Sequence, residues 1–339
     1  FKINHKNSET FTDDISKLDK RILAKLTGGK KIHLVCGGPP CQGMSTVGTG
    51  IPDDPRNFLF LEFVRIVGEL NPDYILLENV TGMVGKKNEK ILDAIMHRFF
   101  ELGYVMSTKV LSAEHYGVPQ RRRRTIVIGN RLGYEFKFPS PKFGEKKGLP
   151  QYVTVGNVLG KISKNTANHD VKAARINDKK ELERIKMVPE GKGIRYHNDE
   201  EKYWEKRLWL DIDWSKVTEN HRLREIQYHR LDRKNISPTI MTGRYTYYHP
   251  VEDRYLTARE AAAVMSFTNE FVFEGTVSQQ WRQIGNAVAP LLGKALGKAI
   301  FETNRKKKKV KTRQPRIVKS KAFDYEDDML DENHAITDF

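Results

Sequence analysis

Between Ile32 and Gly129, short apolar runs alternate with segments of helical periodicity, and this alternation constrains the fold more than any other feature of the chain. Ile32-His33-Leu34-Val35-Cys36, Asp73-Tyr74-Ile75-Leu76-Leu77 and Thr125-Ile126-Val127-Ile128-Gly129 read as buried strands. After the first, Asp54-Pro55-Arg56-Asn57 opens a helix whose Leu59, Phe60, Phe63, Ile66 and Val67 fall on one face, and Asn71-Pro72 closes it. A second helix turns Ile91, Leu92, Ile95, Met96 and Phe99 inward; Gly103 closes it, and extended sequence continues through Val110-Leu111. Strands alternating with helices predict an α/β fold built on a parallel, doubly wound sheet.

Open sheets of this kind bind ligands beyond the carboxyl ends of their strands. Gly37-Gly38-Pro39-Pro40-Cys41-Gln42-Gly43 follows the first run, so the Cys41 thiol is held there by two prolines and flanking glycines as a candidate nucleophile. Taken alone, such a cysteine is more often a small buried residue in a tight turn. Two neighbours at the same sheet edge shift the balance. Glu78-Asn79-Val80 ends the second run and brings an acid there. Tyr116-Gly117-Val118-Pro119-Gln120 leads through Arg121-Arg122-Arg123-Arg124 into the third. Four arginines by themselves read as a solvated basic face or a phosphate patch. The period of two in a strand, however, puts Arg122 and Arg124 on one face and Arg121 and Arg123 on the other. A guanidinium fork suits a phosphate or a base carbonyl.

Charge points to a class of partner. Over 339 residues, lysine and arginine (59) exceed aspartate and glutamate (43) by 16, which suggests a polyanion, most simply nucleic acid. No apolar run approaches membrane-spanning length. Cys36 and Cys41 lie too close on one strand-turn unit to staple the fold, which suggests a reducing compartment. Between Leu132 and Pro250 the alternation lapses. Trp204, Trp209 and Trp214 appear there, and Tyr245, Tyr247 and Tyr248 cluster beside Arg244. These aromatic residues either contact bases and phosphates or form the core of a small domain. Further on, Thr257 and Glu260 form a capping box that opens a helix through Met265, and Gly285-Asn286 breaks the pattern before another apolar helix. Ten basic residues between Arg305 and Lys321, then an acidic stretch from Asp324 to Asp338, read as a solvated, disordered extension.

Pro39-Pro40-Cys41-Gln42, Glu78-Asn79-Val80 and the Gln120, Arg122, Arg124 triplet resemble motifs of the cytosine-5 DNA methyltransferase family. Arg254-Tyr255-Leu256-Thr257-Ala258-Arg259-Glu260 and Gln283-Ile284-Gly285-Asn286-Ala287-Val288 add two more, in the family's order. The resemblance runs from about Asp14 to Asn130 and from about His229 to Ile300. It implies a Rossmann-like methyltransferase sheet with a smaller, irregular target-recognition domain. The expected division is a catalytic domain over 1–132, a connector and target-recognition domain over 133–250, a return to the catalytic domain over 251–303 and a charged tail over 304–339.

The chemistry the resemblance implies is addition of Cys41 to C6 of a flipped-out cytosine, which makes C5 nucleophilic. Glu78 would serve as acid or hydrogen-bond donor at N3, Arg124 would bind O2, and Arg122 would position a mobile loop or a phosphate. Gln42 and Ser45 would lie in the loop that closes over the base, with Arg56 and Arg244 also binding DNA. S-adenosylmethionine would supply the methyl group and meet Asp14, Pro40, Leu59, Asn286 and Ala287; no metal is implied. The family's glycine loop should precede Asp14 and is not found after Phe1. The expectation is therefore weak or no binding of S-adenosylmethionine by this polypeptide alone, with upstream residues or a second chain supplying the segment. Duplex DNA is the expected partner, with no membrane, in the cytoplasm and on the nucleoid of a bacterium or in the nucleus of a eukaryote. Two alternatives stand beside this reading: an RNA cytosine-5 methyltransferase of the same architecture, whose Cys-Phe-Thr signature is not found, and a noncatalytic DNA-binding subunit.

Overall fold

Asp19 starts the first helix, α1 (Lys20–Thr27), by accepting the Ile22 N–H, and Gly28 ends it in the left-handed conformation. The structure, a computed structural model, describes residues 1–39, 56–85, 88–217, 222–305 and 318–319. It divides into two compact units. The first comprises Phe1–Ser112, Arg123–Ser140 and the chain from Lys294 on; the second comprises Ala113–Arg122 and Pro141–Gly293. These limits differ from the sequence boundaries, because residues 113–122 and 251–293 cluster with the second unit.

In the first unit, β1 (Leu34–Gly37) precedes α2 (Arg56–Leu70) and β2 (Tyr74–Asn79); α3 (Glu89–Glu101), β3 (Val105–Ser112) and β4 (Arg123–Asn130) follow. The strands lie in the order β1-β2-β4-β3. β1 is parallel to β2, whereas β4 is antiparallel to both β2 and β3. The sheet is therefore mixed, not all parallel as the alternation predicts. Parallel neighbours need a long crossover, usually a helix, whereas antiparallel ones do not. The link between β3 and β4 carries only a short 3-10 turn, Ala113–Tyr116.

β1 also departs from the expectation. Instead of a buried strand it is an edge strand among the described residues, paired with β2 alone, and Leu34 and Cys36 are exposed. The helices match their periodicity better. Phe60, Phe63, Ile66 and Val67 of α2 and Leu92, Ile95, Met96 and Phe99 of α3 are buried, with Leu59 half-buried. Phe99 is the hub of this core, meeting Phe60, Phe63 and Tyr104 edge-on at centroid distances of 5.9, 6.1 and 6.3 Å. Such a ring contributes about 3 kcal/mol by burial alone. Gly37 makes room for the same packing, since a Cβ there would lie 2.8 Å from the Phe63 ring.

The second unit holds α4 (Val155–Leu159), α5 (Lys179–Met187), β5 (Ile194–Tyr196), α6 (His197–Tyr203), β6 (Arg222–Gln227), β7 (His229–Arg230) and β8 (Tyr247–Tyr248). Its core gathers Ile185, Ile194, Trp204, Leu208, Tyr248 and Tyr255, with Trp209 and Trp214 packed against it. Of the two readings left open for the tryptophans, the structure selects the core of a small domain. Their N–H groups are satisfied internally: Trp204 donates to Arg184 O at 3.0 Å, Trp214 to Glu200 Oε2 at 2.8 Å and Trp209 to Trp204 O at 3.2 Å.

Three helices complete the described chain. α7 (Ala258–Val264) opens with the expected capping box, Thr257 with Glu260, and all seven of its residues are buried. α8 (Val277–Asn286) and α9 (Pro290–Arg305) follow. Within the charged tail, Val318–Lys319 form β9, which adds in parallel to β3. The remainder of that tail, 306–317 and 320–339, lies outside the described residues.

Candidate active site

The carboxyl end of β2 is tied to its surroundings residue by residue. Glu78 Oε1 lies 2.9 Å from Arg124 Nε, and with side chains 14% and 11% exposed the pair is largely withdrawn from water. Arg124 arrives on β4, whose Thr125 and Ile126 sit opposite Asn79 and Glu78. The Asn79 amide donates to Pro39 O at 3.0 Å, and its oxygen accepts the Val80 N–H at 2.9 Å. Thr125 Oγ1 donates to Val80 O at 3.2 Å. Gly38 approaches closely: a Cβ there would lie 3.3 Å from Glu78 Oε2. The end of β1 thus runs against the Glu78 carboxylate because Gly38 has no side chain. Withdrawing a carboxylate and a guanidinium from water is tolerated because each supplies the other's counter-charge.

The arginine run behaves as a period of two requires. Arg121 is exposed and Arg123 half-buried, whereas Arg122 and Arg124 are buried. Arg122, however, precedes β4, and its fork goes elsewhere. Nη2 donates to Gly285 O at 2.7 Å and to Ala287 O at 3.0 Å, and Nη1 donates to Ile240 O at 3.3 Å. Its backbone N–H donates to Glu114 Oε2 at 3.3 Å. At 2% exposure Arg122 faces main-chain carbonyls; the loop after Cys41 lies outside the described residues. Gln120, to which the sequence alone assigns no role, is fully buried and accepts the Ile240 N–H at 3.0 Å. The sequence alone assigns no role to Asn79 either. In both cases the signal was a polar residue inside a motif whose apolar neighbours explain the packing.

Asn286 ends α8 and is exposed, with Ala287 half-buried after it. Gly285 packs directly on main chain, since a Cβ there would lie 2.7 Å from Met241 C and O. Asp14, exposed, caps the 3-10 turn Ile15–Lys17. The Ser16 hydroxyl, at 2.6 Å, and its N–H, at 2.9 Å, hold the Asp14 carboxyl below the usual range. Arg244 lies over the ring of Tyr245 at 4.2 Å, and Tyr245 is 54% exposed. Pro40, Cys41, Gln42 and Ser45 lie outside the described residues; Arg56 begins α2, but its side chain is likewise not described. Among the described residues, no group of three or more His, Cys, Asp or Glu could hold a metal ion. No helix there is long and apolar enough to cross a membrane.

The family model for C-5 cytosine-specific DNA methylases matches residues 1–302. This chain belongs to that family. The methylase is similar to the type II methyltransferase M1.HphI of Haemophilus parahaemolyticus, 33% identical over 314 residues, covering 90% of this chain and 77% of that protein. It is also similar to the type II methyltransferase M.DdeI of Desulfomicrobium norvegicum, 29% identical over 346 residues, covering 88% and 79%. Among solved structures, it resembles a DNA modification methyltransferase encoded within a prophage of Escherichia coli. That likeness has a TM-score of 0.64 and 23% identity over 90% of this chain and 88% of the other, and shows a shared Rossmann-like fold. The protein is a DNA cytosine-5 methyltransferase, of a family that uses S-adenosylmethionine. The comparisons give no support to a second chain as a source of cofactor-binding residues.

Proposed function

We propose that this methylase transfers a methyl group to C5 of a flipped-out cytosine in a specific duplex sequence, with Cys41 as nucleophile. The observation that carries this reading is the Arg124–Glu78 pair at 2.9 Å, at a strand end whose next residue, Asn79, holds the carbonyl of Pro39, two residues before Cys41. The Cys41 sulfur adds its electron pair to C6, and charge moves toward N3 and O2 of the ring. Glu78, in its protonated form or sharing a proton with the base, hydrogen-bonds N3, and Arg124 donates to O2; each group lowers the barrier where charge develops. Withdrawal from water strengthens both interactions. Once C5 carries the methyl group, loss of its proton to a water molecule or other solvent base restores the 5,6 double bond and expels the Cys41 thiolate. Arg244 with its exposed Tyr245 ring, together with Arg56, Gln42 and Ser45, contacts DNA and keeps the base extruded.

Each unit, taken by itself, carries groups suited to S-adenosylmethionine. Asp14 is an exposed acceptor suited to an exocyclic amine, Leu59 offers a half-buried apolar wall, and Asn286 presents an exposed amide. These residues, with Pro40 and Ala287, would hold the cofactor, which when bound supplies an electrophilic methyl group. The relatives named above are type II methyltransferases, which supports a place beside a restriction enzyme, and their bacterial sources support a cytoplasmic, nucleoid-bound protein. Transfer of labelled methyl groups from S-adenosylmethionine to C5 of cytosine in duplex DNA tests the reading. With the glycine-loop segment present, the wild-type protein is expected to label DNA and Cys41→Ser is not; equal labelling by the two would refute it.

A further inference from the structure

Arg122 and Gln120 share a motif with Arg124, yet their side chains do a different task. Both are buried, and between them they take both polar groups of one peptide residue: Gln120 Oε1 accepts the Ile240 N–H, and Arg122 Nη1 donates to the Ile240 carbonyl. The main chains of the two segments are joined as well. Ser237 N donates to Pro119 O at 2.9 Å, Arg121 N to Ser237 O at 2.8 Å, and Thr239 Oγ1 to Arg121 O at 2.7 Å. With this platform fixed, Arg122 Nη2 reaches the end of α8 and donates to the carbonyls on either side of Asn286, those of Gly285 and Ala287.

A helix leaves its last carbonyls without partners inside the helix and gathers partial negative charge there. A buried guanidinium satisfies both needs. It also fixes the peptide planes flanking Asn286, while close packing of Gly285 on Met241 and Thr242 prevents the turn from sliding. Asn286 itself stays exposed.

We infer that Arg122, seated by Gln120 on Ile240, is a positioning residue for the cofactor: it sets the Gly285–Ala287 turn and so aims Asn286, instead of contacting base or phosphate. This rests on the proposed placement of Asn286 and Ala287 at S-adenosylmethionine.

Calorimetric titration with S-adenosylmethionine, beside steady-state kinetics on duplex DNA, tests it, with the glycine-loop segment present, in the wild-type protein, Arg122→Lys, Asn286→Ala and the double variant. Lysine keeps the charge but loses the fork. Arg122→Lys is expected to weaken cofactor binding about tenfold, the worth of one charge-assisted hydrogen bond, with KM for DNA within about twofold of wild type. In the Asn286→Ala background the same substitution should have little further effect, because the two act through one contact. Should Arg122→Lys fail to fold, Gly285→Ala displaces the turn from its other side and is expected to give the same cofactor-selective loss. A rise in KM for DNA with unchanged cofactor affinity would overturn the inference and restore a phosphate role. Fully additive losses would also overturn it. Wild-type binding together with unaltered binding by Asn286→Ala would instead remove the placement of Asn286 on which the inference stands.

Discussion

Arg124 Nε and Glu78 Oε1 stand 2.9 Å apart at the sheet edge, and each is the other's counter-charge in a setting almost closed to water. The carboxylate proposed for N3 and the guanidinium proposed for O2 are therefore organised by one another before a base arrives. Such preorganisation spares the site a rearrangement during reaction.

A double-variant cycle separates the stabilising share of this pair from its catalytic share. Glu78→Leu strands a buried guanidinium and is expected to destabilise the protein by about 2–3 kcal/mol. Adding Arg124→Met should recover most of that loss, since two apolar side chains carry no unpaired charge. Activity should follow the opposite rule and remain at least about a hundredfold down in both proteins. Urea denaturation and methyl transfer, measured on the same preparations, check both expectations.

The second buried pair is structural. Arg254 grips both oxygens of Glu260 at 2.8 Å, and Glu260 Oε2 accepts the Thr257 N–H at 2.8 Å. Burial pushes the Glu260 carboxyl up, but the bonds and charge of Arg254 and the Thr257 N–H outweigh it and leave the group below its ordinary 4.5. A carboxyl depressed on folding stabilises the fold above its unfolded value and loses that contribution as pH falls through the folded value. Wild-type stability should thus drop below pH 4.5 more steeply than that of Glu260→Gln, which should start about 3 kcal/mol lower at pH 7. Denaturant midpoints from pH 7 to pH 3 supply the comparison.

His229 acts in a different window. Burial, then the charge of Arg195, push its imidazole from 6.5 down to about 4. The unfolded chain takes up a proton near pH 6.5 that the folded chain accepts only near 4, so this contribution is intact above 6.5 and fades as pH falls toward 4. His229→Gln should flatten the stability profile across that interval while leaving the steeper fall below pH 4.5 in place. Parallel slopes for variant and wild type between pH 6.5 and pH 5 would argue against the assignment.

The helices of the first unit were legible because Phe60, Phe63, Ile95 and Phe99 recur at helical spacing, and that spacing is set by burial. Periodicity has no sense of chain direction, so β4 could not be distinguished from a parallel strand; the short link after β3 decided it. Nor does an apolar run report how many neighbours it has, and β1 proved to be an edge strand among the described residues. The convergence of Glu78 and Arg124 could be read because both end or begin strands at one edge. The destination of Arg122 could not, because its partners Ile240, Gly285 and Ala287 lie 118, 163 and 165 residues away in sequence. Tryptophans 204, 209 and 214 were ambiguous for a related reason: composition places aromatic residues in a segment, whereas only packing decides whether they face a core or a base.

The central claim is that Cys41 attacks cytosine at C6 while Glu78 and Arg124 stabilise the ring. Duplex DNA carrying 5-fluorocytosine at the target position tests it directly, because fluorine at C5 blocks the elimination that would free the enzyme. Incubated with S-adenosylmethionine, the wild-type protein should form a denaturation-resistant adduct with this DNA, Glu78→Gln should form it more slowly, and Cys41→Ser should form none. An adduct that persists in Cys41→Ser would contradict the account.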